Sequence, residues 1–153
     1  MGGSIAIRRP RAADAAAWLG LWQALVATGP EPCSAEAPAE VWQRALRADD
    51  AMALWLAVDA ADRPVGFVLR VVFPYSWSTR PVCYLLDLYV APELRGQGVG
   101  RRLIQHLAEE GRAAGWLKLM WMTQNDNAEA QALYDKVATR SSLVRYDLML
   151  GEH

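Results

Sequence analysis

Hydrophobic and polar positions along the chain follow two periods, and each period is typical of one kind of secondary structure. Trp18, Leu21, Trp22 and Leu25 are spaced at i, i+3, i+4 and i+7, which predicts a helix with one apolar face. Similar spacing predicts further helices, and continuous runs of strand-forming residues predict buried strands. The expected helices are 12–27, 37–47, 99–113 and 127–136, and the expected strands are 5–7, 51–58, 65–73, 82–90, 116–122 and 143–150.

Turn and capping residues separate these segments. Asp49-Asp50 indicates a turn, and two prolines bound a loop over 74–81. Asp126, followed three residues later by Glu129, predicts a capping box at the start of the last helix. Because the strands cluster first and then alternate with helices, we expect an α+β fold with a mixed sheet.

The composition is typical of a single domain that spans residues 1–153. Hydrophobic residues make up 53% of the chain, which is enough for one well-buried core. No apolar run approaches the roughly 20 residues of a membrane span, and the N-terminal residues lack the apolar region of a signal peptide. A formal net charge of −1 gives no field that would attract nucleic acid or a membrane.

The chain has two cysteines, Cys33 and Cys83, and they form no metal-binding motif. Cys83 lies within a predicted strand, where we expect it to be a small buried hydrophobe. Such sparse use of cysteine favours the reduced cytoplasm over secretion. Neither histidine has a catalytic or metal-binding pattern, so no metal site is expected.

The most specific stretch lies over 88–100, where an apolar strand leads into a glycine-rich turn and then a helix. Gly96, Gly98 and Gly100 allow positive φ angles that direct successive backbone N–H groups inward. The helix start adds unpaired N–H groups and about half a positive charge, so the turn suits a diphosphate. It lacks the Gly-Lys-Ser/Thr of a P-loop, and Arg101 stands where the dinucleotide fingerprint has Gly or Ala.

Two motifs give the chain a resemblance to the GNAT family of N-acetyltransferases. The pattern Arg95-x-x-Gly98-x-Gly100, after Tyr-Val-Ala-Pro, resembles the acetyl-coenzyme A loop of that family. A second motif, downstream of another apolar strand, matches the family's later signature. It consists of Asn127, Ala130, Leu133, Tyr134 and Lys136. The resemblance covers residues 82–136 and is closest to the small members that acetylate polyamines, diamines or amino acids.

The resemblance implies a fold and a cofactor. The expected sheet is mixed, mostly antiparallel and flanked by about four helices. It splays at the central strand, where the pantetheine arm of acetyl-coenzyme A (acetyl-CoA) enters. The residues implied to bind the coenzyme are Leu88, Tyr89, Val90, Arg95, Gly96, Gln97, Gly98, Val99, Gly100, Arg101, Asn127 and Tyr134.

Acetyl transfer requires a neutral amine, a stabilised thioester oxygen and an acid for the departing thiolate. Asp87 is the only charged residue within 82–90, and a carboxylate in so apolar a strand is costly unless it is paired or used. It is therefore a candidate base or docking point for the substrate ammonium; the alternative is a carboxylate hydrogen-bonded to a loop. Polyamine-type relatives carry Glu where this chain has Leu86, which cannot titrate. The resemblance makes Tyr134 the general acid, with core packing as the alternative.

In the implied fold, the loops over 28–40 and 74–84 flank the central strand and should form the acceptor site. Acidic and aromatic side chains there suit a cationic amine, although solvated glutamates and packed aromatics explain them as well. The candidates are Glu31, Glu36, Glu40, Tyr75, Trp77, Tyr84 and Asp87.

The function predicted from these residues is acetyl-CoA-dependent N-acetylation of a primary amine on a small molecule. The amine would be that of a polyamine, a diamine or an amino acid, and it would attack directly in a ternary complex. Three alternatives stay open: a weakly catalytic acetyl-CoA sensor, a protein-lysine acetyltransferase and a purely structural domain. The sequence also leaves a homodimer open.

Overall fold

The computed structural model describes residues 3–47 and 51–152. They divide into two compact units, the first ending at Trp121 and the second beginning at Met122. The turn predicted at Asp49-Asp50 lies outside the described residues. No helix in the described ranges is long and apolar enough to span a bilayer.

The first unit contains a five-stranded sheet. Its strands are β1 (Ala6–Arg8), β2 (Met52–Val58), β3 (Pro64–Phe73), β4 (Val82–Val90) and β5 (Leu119–Met120). They lie in sequence order across the sheet, and the first three pairings are antiparallel while β4 and β5 pair in parallel. The predicted mixed, mostly antiparallel sheet is therefore confirmed, although the predicted strand over 116–122 is reduced to two residues.

The described residues contain four α-helices, the number expected. The first unit has α1 (Ala15–Ala27), α2 (Ala37–Ala45) and α3 (Val99–Ala114), and the second unit has α4 (Ala128–Val137). A short 3-10 turn over Ala12–Asp14 precedes α1, so the helix itself begins three residues later than its apolar pattern suggested.

Helices cover both faces of the sheet, because side chains of each strand alternate between them. Leu54 and Leu56 of β2 belong to the core cluster that contains Trp18 and Trp22 of α1, and α2 adds Trp42. The indole rings of Trp18 and Trp42 stack with their centroids 5.1 Å apart. We call this the α1–α2 face.

The opposite face of the sheet packs against α3. Trp55, between the two leucines of β2, donates from its indole Nε1 to Glu110 of α3 at 3.1 Å. Arg70 of β3 forms an ion pair with the same carboxylate. Leu103 and Leu107 of α3 are fully buried and complete the apolar contact.

A β-bulge in β4 decides which side chains share the α1–α2 face. Leu69 of β3 pairs with Asp87, but the next residue, Arg70, pairs with Leu85, so Leu86 has no partner across the ladder. After the bulge the register continues with Val71 opposite Tyr84. Because alternate residues of β3 share a face, Tyr84 and Asp87 lie on the same face as Leu69, which belongs to the α1–α2 core cluster.

The second unit differs from the sequence prediction at both ends of α4. The helix is capped by Asn127, whose side-chain Oδ1 accepts from the Ala130 amide at 3.2 Å. The predicted Asp126–Glu129 capping box is therefore wrong, because Glu129 lies one position too early in the first turn. Asn127 is the N-cap instead of Asp126, because its short side-chain amide reaches the third N–H of the helix.

The strand predicted over 143–150 is not formed. These residues have neither helical nor strand structure in the described chain, and their apolar side chains are exposed, Leu150 to 93%. An alternating pattern specifies which side chains would share a face. It does not supply the neighbouring strand that must accept the backbone hydrogen bonds.

Candidate active site

The glycine-rich turn forms the first part of the candidate site. Gly96 and Gly98 have φ angles of 74° and 81°, in the left-handed region that residues with a Cβ rarely adopt. Gly98 is the N-cap of α3, and its carbonyl accepts the helical hydrogen bond from the Arg102 amide at 3.0 Å. The left-handed conformations of Gly96 and Gly98 turn the backbone into the first residues of α3.

The amide N–H groups of residues 96–101 have no acceptor among the residues that the structure describes. Six consecutive free donors at a helix N-terminus, with the positive end of the helix dipole behind them, form an anion-binding concavity. The turn is exposed, and the cationic Arg101 follows it directly. This arrangement has the length and charge that a diphosphate requires.

Two side chains of this turn are already engaged. Arg95 donates from Nε to the Val90 carbonyl at 3.0 Å, and its guanidinium lies 5.3 Å from the centroid of the Tyr89 ring. Gln97 donates from its side-chain amide to the Glu93 carbonyl at 3.2 Å. These contacts hold the turn against the end of β4.

The free edge of β4 forms the second part of the site. Pairing between β4 and β5 ends at Tyr84 and Met120, whereas β4 itself continues to Val90. The Ala91 amide donates to the Val65 carbonyl at 2.8 Å, which makes Gly66 and Val90 a non-hydrogen-bonded pair. The N–H and C=O groups of Val90 therefore point away from β3.

Hydrogen-bonded and non-hydrogen-bonded pairs alternate along an antiparallel ladder, so the orientation of the Val90 backbone also fixes that of Leu88 and Tyr89. Leu88, opposite Val68, is again in a non-hydrogen-bonded pair, so its N–H and C=O also point to the outer edge. Tyr89 differs, since its backbone faces Phe67 and its ring is buried in the α1–α2 core. Of the three strand residues expected at the coenzyme, only Leu88 and Val90 present backbone groups at the edge.

Asp87 is the third part of the site. Its side chain is half-buried and has no hydrogen bond or ion pair with any described residue. Loss of hydration raises the pKa of this carboxyl from 3.8 to about 6. A carboxylate with a pKa near 6 is ionised at neutral pH yet is a stronger base than an exposed aspartate, which suits proton transfer.

The remaining acceptor candidates are spread over the first unit. Tyr84 lies beside Asp87 on the α1–α2 face, because the bulge brings them together. Tyr75 and Trp77 lie in the loop after β3 with ring centroids 6.3 Å apart, and Trp77 is 88% exposed. The Lys118 ammonium lies 4.9 Å from the Tyr75 ring centroid, so a cation already occupies one face of that ring.

The glutamates expected to attract a cationic substrate are all exposed. Glu31 lies in the loop after α1, and Glu36 is the N-cap residue of α2. Glu40 forms an ion pair with Arg44 one turn later at 2.6 Å. None of the three is brought to Asp87 by a described contact.

Tyr134 and Asn127 lie in the second unit. Tyr134 is half-buried on α4, and burial raises the pKa of its phenol, which keeps the proton on at neutral pH. Asn127 is committed to capping α4, which agrees with one of its two expected roles.

Leu86 is the feature of the site that hydrophobic patterning missed. The sequence shows directly that Leu86 cannot titrate. It does not show that Leu86 lies in a bulge, because one extra residue in a continuous apolar run does not change the hydrophobic pattern. In the described chain, no three His, Cys, Asp or Glu side chains are grouped to hold a metal ion. Cys83 is fully buried as expected, and desolvation raises the pKa of its thiol to about 12.

Known proteins share this architecture. A solved aminoglycoside N-acetyltransferase, AAC(6')-Iy, in complex with CoA superposes with a TM-score of 0.80 at 21% identity, covering 99% of this chain and 98% of that one. A ribosomal-protein-alanine N-acetyltransferase from Brucella melitensis biovar Abortus 2308 gives a TM-score of 0.79 at 21% identity, covering 96% of this chain and 100% of that chain. At this level of identity the two structures show a common fold.

Sequence comparison adds curated relatives. The D-amino-acid N-acetyltransferase HPA3 of Saccharomyces cerevisiae is 36% identical over 101 residues, which are 64% of this chain and 63% of that protein. The chain thus matches less than two thirds of that relative's length. The aminoglycoside N(6')-acetyltransferase type 1 of Stenotrophomonas maltophilia is 33% identical over 135 residues, 84% of this chain and 81% of that protein.

The family model described as Acetyltransferase (GNAT) family matches residues 18–138, a range that includes the glycine turn, the free strand edge, Asp87 and Tyr134. A match over so much of the chain, with the same fold in solved relatives, establishes that the protein belongs to the GNAT family of acetyltransferases.

Proposed function

We propose that the protein is an acetyl-CoA-dependent N-acetyltransferase that acts on the primary amine of a small molecule. The observation that carries the proposal is the run of unpaired amides over 96–101, at the end of a strand with free backbone groups on its outer edge. The curated relatives named above are N-acetyltransferases of amino acids and aminoglycosides, which supports a small amine as the acceptor.

The residues present fit acetyl-CoA at two points. The six amides suit its diphosphate, with Arg101 adding charge. The outward N–H and C=O groups of Leu88 and the outward N–H of Val90 suit a pantetheine arm that pairs with this edge as an added strand would, while the Val90 carbonyl already accepts from Arg95. When bound, acetyl-CoA supplies the thioester carbonyl carbon that the amine attacks.

Asp87 is the group that accepts the proton of the substrate ammonium. An amine at neutral pH is mostly protonated and must lose that proton before it can act as a nucleophile. Because the pKa of Asp87 is raised to about 6, its carboxylate takes up a proton more readily than an ordinary aspartate does. Leu86 has no ionisable group, so the transfer goes to Asp87 directly or through one water molecule.

Two further groups stabilise charge that develops during acetyl transfer. The Leu88 N–H points out of the strand edge, where it can donate to the oxygen that becomes negative. Tyr134 keeps its phenol protonated because burial raises its pKa, and a protonated phenol can donate to a departing thiolate. No covalent enzyme intermediate is needed, so the two substrates react in one ternary complex.

The coenzyme site is tested by two substitutions at one position. Gly98→Asp and Gly98→Asn carry the same steric and backbone change at a positive φ, in a place where an added Cβ meets no atom within 4 Å. Only the Asp variant places a negative charge against a diphosphate. Isothermal titration calorimetry with CoA should show at least about tenfold weaker binding for the Asp variant than for the Asn variant.

Equal affinities of these two variants would remove the diphosphate from residues 96–101. A CoA-release assay with a panel of amines then tests the transfer itself. If CoA binds tightly and no amine is acetylated, the chain is a binding module and not an acetyltransferase.

A further inference from the structure

We infer that the acceptor is an amine with a single ammonium group attached to an aromatic or branched apolar body, and that Phe73, Tyr84 and Leu86 select it. The inference rests on the proposed function and names the class of acceptor that the same site prefers. It excludes long polyamines as the best substrates.

The surface beside Asp87 is apolar and accessible. Leu86, in the bulge, is 39% exposed, and Phe73, at the end of β3, is 36% exposed. Val71 and Tyr84, which pair with each other on the rung next to Asp87, are half-buried. We call Val71, Phe73, Tyr84 and Leu86 the apolar strip. Large apolar side chains with this exposure, near a half-buried carboxylate, offer an apolar surface to a ligand whose ammonium group reaches Asp87.

Strand register gives the strip a direction and a length. Asp87, Tyr84 and Val82 face Leu69, Val71 and Phe73 on successive rungs of the same face. Rungs two residues apart are separated by about 7 Å, so Tyr84 lies about 7 Å and Phe73 about 13 Å along the strands from the carboxylate. That span accommodates a phenyl or branched alkyl group two or three bonds from an ammonium nitrogen.

The charges around the strip favour one cation only. Asp87 is the only acidic residue in β3 and β4, and the single arginine of these strands, Arg70, faces α3. A second ammonium group placed along the strip would lose hydration without gaining a counter-charge from either strand. The exposed Glu40, which was expected to serve a cationic substrate, pairs with Arg44.

The test compares four amines on the wild-type protein by initial rates of CoA release. Phenethylamine and phenylalanine carry the aromatic body without and with a carboxylate, and putrescine and spermidine carry two and three amines. We expect kcat/KM for the better aromatic amine to exceed that for either polyamine by at least about tenfold. The ratio between phenethylamine and phenylalanine tells whether the acceptor is a simple amine or an amino acid.

A pair of substitutions at Leu86 tests the selecting residue. Leu86→Glu adds a second carboxylate beside Asp87 and should raise kcat/KM for putrescine and lower it for the aromatic amine, by about tenfold in each direction. Leu86→Gln introduces a side chain of the same shape as Glu but without its charge, and this variant should still prefer the aromatic amine to putrescine. Should Leu86→Glu fail to fold, the wild-type panel alone still decides the question.

The outcomes separate the inference from the proposed function. A wild-type protein that acetylates putrescine or spermidine best overturns the inference and leaves N-acetyltransferase activity intact. A Leu86→Glu variant that folds and keeps the wild-type order of substrates also overturns it. A protein that binds CoA and acetylates none of the four amines, nor any other amine in a wider panel, overturns both.

Discussion

Asp87 combines a proposed catalytic role with a cost in stability. Its carboxyl has no described partner, and burial raises its pKa from 3.8 to about 6. Ionising the group in the native state therefore costs free energy that ionising it in the unfolded chain does not. The same loss of hydration that suits Asp87 to the proposed role of base makes it a destabilising residue at neutral pH.

This cost gives a pH-dependent prediction. Between about pH 4 and 6 the native state holds a proton that the unfolded state has lost, so the free energy of unfolding falls as the pH rises. Asp87→Asn removes this dependence and should be more stable than the wild type at pH 7.5 by as much as about 3 kcal/mol, with little difference at pH 4. Urea unfolding at both pH values measures it. The exposed Asp126→Asn is the control, and an equal slope for all three proteins would contradict the argument.

Tyr134 gives a prediction on rate. If its phenol protonates the thiolate, Tyr134→Phe should lower kcat by about 10²–10⁴-fold and leave KM for acetyl-CoA nearly unchanged, because the interaction forms in the transition state. Steady-state kinetics at several pH values measure both constants. The matched control is Tyr146→Phe, since Tyr146 lies in the same unit and is 90% exposed. A normal kcat across the pH range would make Tyr134 a packing residue.

At the residue scale, the sequence predicts which residues are candidates for the site, but it does not predict their local backbone geometry. An isolated charge in an apolar run identifies Asp87, and glycine spacing identifies Gly96 and Gly98. The bulge at Leu86 is invisible to such reasoning because it depends on the register with β3. The face shared by Tyr84 and Asp87 follows from that register.

At the scale of elements, a polar network joins α3 to the sheet that it covers. Glu110 accepts hydrogen bonds from Trp55 of β2 and Arg70 of β3, and the Arg70 side chain is only 11% exposed. The Arg70 guanidinium also lies 5.2 Å from the centroid of the Trp116 ring, after the end of α3. The carboxylate thus ties three elements at one point.

Removing this carboxylate should leave a largely buried guanidinium without its counter-charge. Glu110→Ala is expected to lower the free energy of unfolding by about 2–3 kcal/mol, somewhat less than for a fully buried pair because Glu110 is 23% exposed. Glu109→Ala, one residue earlier and exposed, should change it by less than about 0.5 kcal/mol. Chemical denaturation of both variants provides the measurement. Similar losses for the two would mean that the network contributes nothing beyond helix propensity.

Elements differ in how far the sequence specifies them. The four helices are predictable because their apolar positions recur within a few residues, most clearly in α3 with Leu103 and Leu107. Strands β2, β3 and β4 are predictable because each is a continuous apolar run between turns. The segment over 143–150 has an equally clear alternation and is not a strand, since strand formation depends on a partner that is distant in sequence.

At the scale of the whole molecule, charge does not drive recognition. The formal net charge is −1, so neither an anionic coenzyme nor a cationic amine is attracted by a global field. In the proposed function, recognition depends on two local arrangements in the first unit, both at β4. The free amides follow its C-terminal end, Asp87 and Tyr84 lie on its α1–α2 face, and Leu86 lies in the bulge between them. One strand therefore positions both substrates of the proposed reaction.

Binding at the amides should stabilise the whole fold, and the diphosphate should be the part of the coenzyme that does so. A ligand at about 100 times its dissociation constant adds about 2.7 kcal/mol, which for a chain of this length raises Tm by about 5–10 °C. Differential scanning fluorimetry with CoA should show this rise. Pantetheine at the same concentration lacks the diphosphate and should raise Tm by less than about 2 °C, because it reaches only the strand edge. Equal shifts with the two ligands would place the main binding energy at Leu88 and Val90 and leave the six amides without a role in affinity.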